Sequence, residues 1–190
     1  MTTISKVLTA CGFIGLLVST IITIDRIKIL SNPNFVPICD LNPFISCGSV
    51  NTTAQASIFG FPNSFLGIIG FAAVFGLGLY LLTGRNLKPS LWKLLNLGLL
   101  VAVLFTHWLA YQSLYVIQAL CTYCMVVWAM TIATFITITR YNLLVENLKV
   151  SFLKDLLAKH SLILILSWYA FIVGLVLQHF WYYWRTLIGV

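Results

Sequence analysis

Five long apolar runs, separated by short charged stretches, constrain this chain more than any other feature. Bilayer hydrocarbon about 30 Å thick is crossed by a helix of roughly 20 mostly apolar residues. Runs of that kind extend over about residues 7–24, 62–82, 91–114, 119–138 and 162–182. Hydrocarbon offers the backbone no hydrogen bonds, so each run must satisfy its own as a helix. Asp25-Arg26 closes the first run, Gly84-Arg85 the second and Arg140 the fourth. Pro62 suits the first turn of the second helix, where a missing N–H costs nothing. Ser90 suits the N-cap of the third. Lys6 before an apolar run resembles a signal peptide, but no small-x-small cleavage site precedes Asp25 and the run is long enough to span.

Composition agrees. Charged residues make up 8% of the chain, against about 25% in soluble domains, too few to coat a water-soluble globule. The 11 Lys and Arg residues are dispersed, without the clustered basic face of a nucleic-acid reader. The expected fold class is all-α and integral to a membrane, one domain over residues 1–190, with membrane lipid and not nucleic acid around it. Between the last two runs, Leu144, Leu148, Phe152 and Leu156 recur every four residues among Lys149, Lys154 and Lys159. That pattern predicts an interfacial amphipathic helix over about 141–159.

Five crossings put the termini on opposite sides. One side carries Lys6, Arg85, Lys88, Lys93, Arg140, Lys149, Lys154 and Lys159; the other carries Arg26, Lys28 and Arg185. The positive-inside rule makes the first side, with the N-terminus, cytoplasmic. The C-terminus and the loop of residues 25–61 are then extracytoplasmic. Phe180, Trp181, Tyr182, Tyr183 and Trp184 fit an interfacial aromatic belt on either face.

Four of the five cysteines fall on the extracytoplasmic face. Cys39 and Cys47 lie in the long loop, and Cys121-Thr122-Tyr123-Cys124 opens the fourth run. Cys11, within the first run, reads as a small buried apolar residue. A helix N-terminus stabilises a thiolate, and the thiolate is the reactive form of cysteine. Three readings of the four sulfurs stand: a redox relay, a zinc site, or two structural disulfides. Seven residues between Cys39 and Cys47 fit poorly with zinc knuckles, and Cys-x-x-Cys is typical of redox motifs. The loop that holds the first pair is long and apolar, with Phe35, Val36, Ile38, Leu41, Phe44 and Ile45. It should lie over the mouth of the bundle, with turns at Asn42-Pro43 and Cys47-Gly48-Ser49. Disulfide exchange requires two sulfurs to meet, which a loop of this kind would allow.

The segment Cys39-Asp40-Leu41-Asn42-Pro43-Phe44-Ile45-Ser46-Cys47, then Pro62-Asn63-Ser64, then Cys121-Thr122-Tyr123-Cys124 resembles the vitamin K epoxide reductase family, especially its bacterial members, over about residues 7–139. The resemblance implies four helices around a quinone with a fifth packed outside. It implies that Cys124 faces the quinone, that Cys121 exchanges with Cys47, and that Cys39 pairs with Cys47 and meets an external partner. Asn63 falls at a position that hydrogen-bonds a quinone carbonyl, Thr53 at a Ser or Thr position near the loop cysteines, and Trp128 where an aromatic ring contacts the quinone. The acceptor would be a ubiquinone, menaquinone or vitamin K type quinone, with reduction of a vitamin K epoxide as the second activity of this kind. No metal is implied. Many bacterial relatives continue into a thioredoxin-like domain. This chain ends at Val190 without one, so the expected partner is a separate thioredoxin-fold protein outside a bacterial inner membrane.

Each of these residues also has a plainer reading. Asn63 could cap its helix or bond a backbone carbonyl, Thr52-Thr53 could cap a surface helix, and Trp128 could pack against lipid. Asp40 could be a solvated loop charge. His107 is the ionisable group deepest in an apolar run apart from cysteine; such residues are functional candidates, or hydrogen-bonded core histidines. Asn51-Thr52-Thr53 matches a glycosylation acceptor. The topology is directly checkable: a reporter fused after Val190 should be active only outside the cytoplasm, and a cytoplasmic signal would move all four cysteines to the reducing side.

Overall fold

The computed structural model describes residues 2–188 apart from Pro33, Pro43, Glu146 and Lys149, and without the side chains of Thr2, Trp184 and residues 186–188. Pro43, Lys149, the Trp184 side chain and Val190, which enter the sequence reading, lie outside the described residues. The elements are helical: α1 (Thr2–Ser31), α2 (Cys47–Asn51), α3 (Ser64–Leu82), α4 (Pro89–Tyr111), α5 (Thr122–Leu144), α6 (Ser151–His179) and α7 (Trp181–Ile188), with a 3₁₀ turn at Ala54–Ser57 and a π turn at Gln112–Ile117. Five of them are long and apolar enough to cross a membrane. Their outer faces expose Ile69, Leu94, Leu104, Leu166 and Phe171, a surface that only lipid would cover favourably. The protein is an all-α integral membrane protein.

The bundle is built on an antiparallel α1–α3 pair whose backbones touch. A Cβ on Gly12 would come within 2.5 Å of the Phe75 nitrogen, and one on Gly78 within 2.5 Å of the Thr9 nitrogen. Farther along the same seam Thr23 Oγ1 donates to Ser64 Oγ at 2.7 Å. Small residues and hydroxyl pairs are how helices associate where lipid removes the hydrophobic drive. α1 also packs on α5, α5 on α4, and α6 on α5 from outside. Among the described residues α3 and α4 are not a closely packed pair. At the end away from the cysteines the core centres on Trp92, which lies against Tyr141 with ring centroids 4.3 Å apart and is surrounded by Leu8, Val74, Leu81, Leu99 and Ile138. Its carbonyl accepts from Asn142 Nδ2 at 3.0 Å, and Asn96 Nδ2 donates to Thr139 Oγ1 at 2.8 Å.

Several boundaries differ from the sequence reading. α1 continues past Asp25-Arg26 to Ser31, because a charge ends burial in hydrocarbon, not helical hydrogen bonding. The expected loop of residues 25–61 therefore begins as helix and contains α2 and the 3₁₀ turn. α3 starts at Ser64 with Asn63 in the cap position, so Pro62 precedes the helix. α4 takes Pro89 at its first position after Lys88, which places Ser90 inside the first turn. The amphipathic segment expected over 141–159 is divided: Leu144 ends α5, and helix resumes at Ser151. Phe152 is exposed whereas Leu148 packs on the Ile132–Leu157 core, so the four-residue repeat does not form one face. The non-helical backbone at His160 (φ −124°, ψ 19°) separates this stretch from the apolar span. The aromatic run from Phe180 ends α6 and opens α7.

α6 is held to the bundle by two polar contacts. Trp168 Nε1 donates to His107 Nε2 at 2.8 Å, and His107 Nδ1 lies 2.7 Å from the Val103 carbonyl. One tautomer, protonated at Nδ1, satisfies both bonds, which is the core-histidine reading. Tyr169 Oη donates to the Ala129 carbonyl at 2.6 Å. The α1–α3 seam gives a stability test. Gly78→Val should destabilise the protein by about 1–3 kcal/mol or more through backbone collision. Gly70→Ala, where a Cβ meets nothing within 4 Å, should be neutral or stabilise by up to about 1 kcal/mol. Unfolding titration in mixed detergent micelles distinguishes the two.

Candidate functional site

Cys39, Cys47, Cys121 and Cys124 converge because two non-helical segments pair. Residues after Asn42 turn sharply: Asn42 Oδ1 accepts from the Phe44 and Ile45 N–H groups at 3.0 and 2.8 Å. The strip that follows forms a parallel bridge, Ile45 with Leu120. Leu120 N–H donates to the Phe44 carbonyl at 2.7 Å, and Ser46 N–H donates to the Leu120 carbonyl at 2.9 Å. Ser46 precedes Cys47 and Leu120 precedes Cys121, so this bridge sets the two cysteine pairs side by side. Cys39, Cys47 and Cys121 form one buried cluster, with Val50, Tyr123 and Cys124 packed against it. Cys47 Sγ lies 4.0 Å from Thr122 Oγ1.

Each pair has its own local support. Cys39 and Cys47 are joined by a disulfide, with Cα atoms 5.7 Å apart. Cys47 begins α2, so Cys47-Gly48-Ser49 is a helix start and not the expected turn. Ser46 is its N-cap and accepts from Ser49 N–H at 3.0 Å. Asp40 Oδ1 accepts from Gly48 N–H at 2.8 Å. Asp40 is therefore a bonded group that fixes α2, not a simple solvated charge. Asn51 at the other end donates to the Ile22 carbonyl at 3.0 Å and ties α2 to α1. That amide is buried, which leaves it unfit for glycan attachment in the folded protein.

Cys121 and Cys124 are free thiols. Cys121 is the N-cap of α5, and its sulfur accepts from Cys124 N–H at 3.2 Å. Its thiol is held below the ordinary thiol range, chiefly because the Cys124 thiol bonds to its sulfur. Burial opposes this, the Cys124 and Tyr123 N–H groups assist it, and the Asp40 charge opposes it. A cysteine at a helix N-terminus is the setting that favours thiolate.

The remaining sequence candidates are placed as follows. Trp128, one turn beyond Cys124 on α5, is 6% exposed, so its indole is inside the bundle and not against lipid. Asn63 Nδ2 donates to the Gln55 carbonyl at 2.7 Å and its Oδ1 accepts from Ile58 N–H at 3.3 Å. The amide makes no helix-cap bond, and one Nδ2 hydrogen is left over from the Gln55 bond. Thr53 Oγ1 donates to the Val50 carbonyl at 2.8 Å and so steadies a neighbour of the cysteine cluster; it makes no side-chain cap bond either. Cys11 is buried in α1. Cys39 Sγ, Cys47 Sγ and the Asp40 carboxylate lie within 4.8 Å of one another. The disulfide occupies both sulfurs, so the thiolates that a soft-metal site needs exist there only after reduction. Sequence reasoning missed Ser46, Leu120 and the bonding role of Asp40. Ser46, with its hydroxyl one residue ahead of a short helix, was a readable N-cap.

A family model, that of the vitamin K epoxide reductase family, matches residues 6–139. The chain belongs to this family. Its members are membrane thiol oxidoreductases that act with quinones. Among curated proteins, none matches this chain. The matched segment contains all of the cysteines, most of α1 to most of α5, and neither α6 nor α7.

The support of Cys121 by Cys124 can be tested by titration. The ultraviolet absorbance of the Cys121 thiolate should appear at lower pH than for an ordinary thiol. Cys124→Ala removes the leading cause and should move the midpoint upward. An unmoved midpoint would show that the helix terminus alone holds the thiolate.

Proposed function

We propose that this protein is a quinone-dependent thiol:disulfide oxidoreductase that supports disulfide formation outside the cytoplasm. The observation that carries the reading is the Ile45–Leu120 bridge, which brings Cys47 and Cys121 into one buried cluster. The Cys39–Cys47 pair accepts two electrons from the thiols of a separate thioredoxin-fold protein. Cys39 is itself buried, and the adjacent Ile38 is 88% exposed, which offers a partner a docking point next to the loop pair. The partner thiolate attacks Cys39 Sγ and releases Cys47 thiolate; the second partner thiolate then frees Cys39 and leaves the partner oxidised.

The inner exchange runs the same way. With Cys121–Cys124 oxidised, Cys47 thiolate attacks Cys121 Sγ, forms the Cys47–Cys121 bond and releases Cys124 thiolate. Cys39 then attacks Cys47 and restores Cys39–Cys47 with Cys121 free. The arrangement described above, with the loop pair bonded and the inner pair free, corresponds to this point. Closure of Cys121–Cys124 gives two electrons and two protons to a ubiquinone, menaquinone or vitamin K type quinone, which leaves as the quinol.

The residues present suit such a ring. Trp128 offers a buried aromatic face on the turn after Cys124, and Asn63 has an amide hydrogen to spare for a carbonyl oxygen. A lipid-soluble acceptor needs a lateral way in, and the α3–α4 side, where the two helices are not a closely packed pair, is the route we assign to it. A chain of rings spans that side from α3 through the loop to α4: Phe65, Phe61, Phe59, Phe105 and Trp108, with successive centroids 6.3, 6.0, 6.0 and 6.0 Å apart. In the orientation set by the positive charges, the N-terminus is cytoplasmic and the sulfurs face the oxidising side of a bacterial inner membrane, where disulfides persist.

Two variants test the relay. Cys124→Ala should abolish thiol-driven quinone reduction, a loss of orders of magnitude as expected for a nucleophile. A partner whose second thiol is replaced by Ala should accumulate a mixed disulfide with Cys39 of the unaltered chain, because the thiolate that frees Cys39 is missing; the complex is visible on non-reducing gels of native membranes. Wild-type quinone reduction in Cys124→Ala, together with no captured partner, would sink the proposal.

A further inference from the structure

The segment that lies beyond the family match holds the strip that carries Cys47. Phe180 closes α6 and is buried with Leu114, Leu120 and Val176; Phe44 packs against this cluster. The Phe44 ring meets Phe180 edge-on, with centroids 5.7 Å apart, and meets Tyr183 of α7 at 4.6 Å. Phe44 is the residue whose carbonyl accepts from Leu120 N–H. One apolar cluster thus gathers the side chains of both residues of this hydrogen bond, Phe44 on one side and Leu120 on the other. Leu120 is held from behind as well. Ser113 of the π turn donates through Oγ to the Ala119 carbonyl, and Ala119 N–H donates back to the Ser113 carbonyl at 3.2 Å. Two backbone hydrogen bonds between short extended segments are marginal alone, since isolated pairs of this kind are barely stable in water. Aromatic burial supplies what they lack.

We infer that the α6–α7 junction is a clamp on the redox loop, with Phe180 and Tyr183 as positioning residues that hold Phe44, and through it Cys47, against Leu120 and Cys121. The inference rests on the relay proposed above and gives it a residue set outside residues 6–139. When the clamp is closed, Cys47 meets Cys121 at high effective concentration. When Phe44 leaves it, the loop pair is detached from the inner pair. The chemistry is one thiol–disulfide exchange: the Cys47–Cys121 bond forms, the Cys121–Cys124 bond breaks, and the electron pair leaves on Cys124. The clamp alters only how often the two sulfurs are in place.

The test uses the full chain in membranes with Cys39→Ser and Cys124→Ser, so that Cys47 and Cys121 are left to pair at this face. Closure of Cys47–Cys121 under a mild oxidant such as diamide is followed by gel mobility and mass spectrometry. The parent should close readily. Phe180→Ala should slow closure by about tenfold, the scale of one buried aromatic ring. Tyr183→Ala, at a half-buried ring, should slow it less, and Phe180→Tyr should restore most of the rate. In parallel, Phe180→Ala and Tyr183→Ala are placed in the otherwise unaltered chain, where the Cys39–Cys47 disulfide should form at the normal rate. A purely structural lesion would slow that bond too, and that outcome overturns the clamp. Unchanged Cys47–Cys121 closure in both variants, with the parent closing, overturns the clamp and leaves the relay standing. Failure of the parent itself to close removes the relay and the clamp together.

Discussion

Two hydrogen bonds to the backbone of Leu120 hold the cysteine chemistry of this protein together. Within its spans the chain satisfies its backbone in helices, as a lipid environment demands. Around residues 42–46 and 119–121 it does not, and there the two extended strips satisfy each other. A backbone group left buried and unpaired would cost as much as a lost hydrogen bond. The pairing is therefore compelled by the same rule that makes the spans helical. Its consequence is chemical: segments far apart in the sequence become neighbours, and the sulfurs that follow each strip are buried as one cluster.

The helices divide their tasks between tight and loose seams. α1 and α3 touch backbone to backbone at Gly12 and Gly78, and the Trp92 core locks the end away from the cysteines. That half has the packing of a scaffold. At the other end α3 and α4 separate, and rings bridge the space in place of interlocked side chains. Several of these rings, Phe59, Phe61, Phe65 and Trp108, remain 40–56% exposed, so this side is less completely buried than the α1–α3 seam.

Much of this was legible in the sequence, for identifiable reasons. Hydropathy located all five spans because bilayer thickness fixes their length, and the spacing of Cys39, Cys47, Cys121 and Cys124 marked out residues that the fold gathers. The ends of the elements were less accessible. α1 runs on beyond Ile24, where the apolar run stops, through Asp25 to Ser31, since helix propensity does not stop where hydrocarbon does. His160 breaks α6 with no proline or glycine beside it to announce the break. The bridge from Ile45 to Leu120 and the grip of Phe180 on Phe44 had no local signal at all; they are products of topology. Trp128 shows the limit within a single helix, because its position on the Cys124 face was readable but whether that face looked inward was not.

The same geometry explains how a buried thiolate is tolerated beside hydrocarbon. Removing a charge from water is costly unless donors replace the solvent. At Cys121 the replacements are the Cys124 thiol and the first N–H groups of α5, all fixed before any charge arises. Asp40 works against that charge, yet its carboxylate is already engaged by Gly48 N–H. Holding α2 in place thus puts an acid near the sulfurs. The Asp40 charge and the Cys124 thiol push the Cys121 pKa in opposite directions, and the hydrogen bond from Cys124, the leading cause, leaves it below the ordinary thiol range. The lowered thiol thus belongs to the free pair and lies beside the loop disulfide.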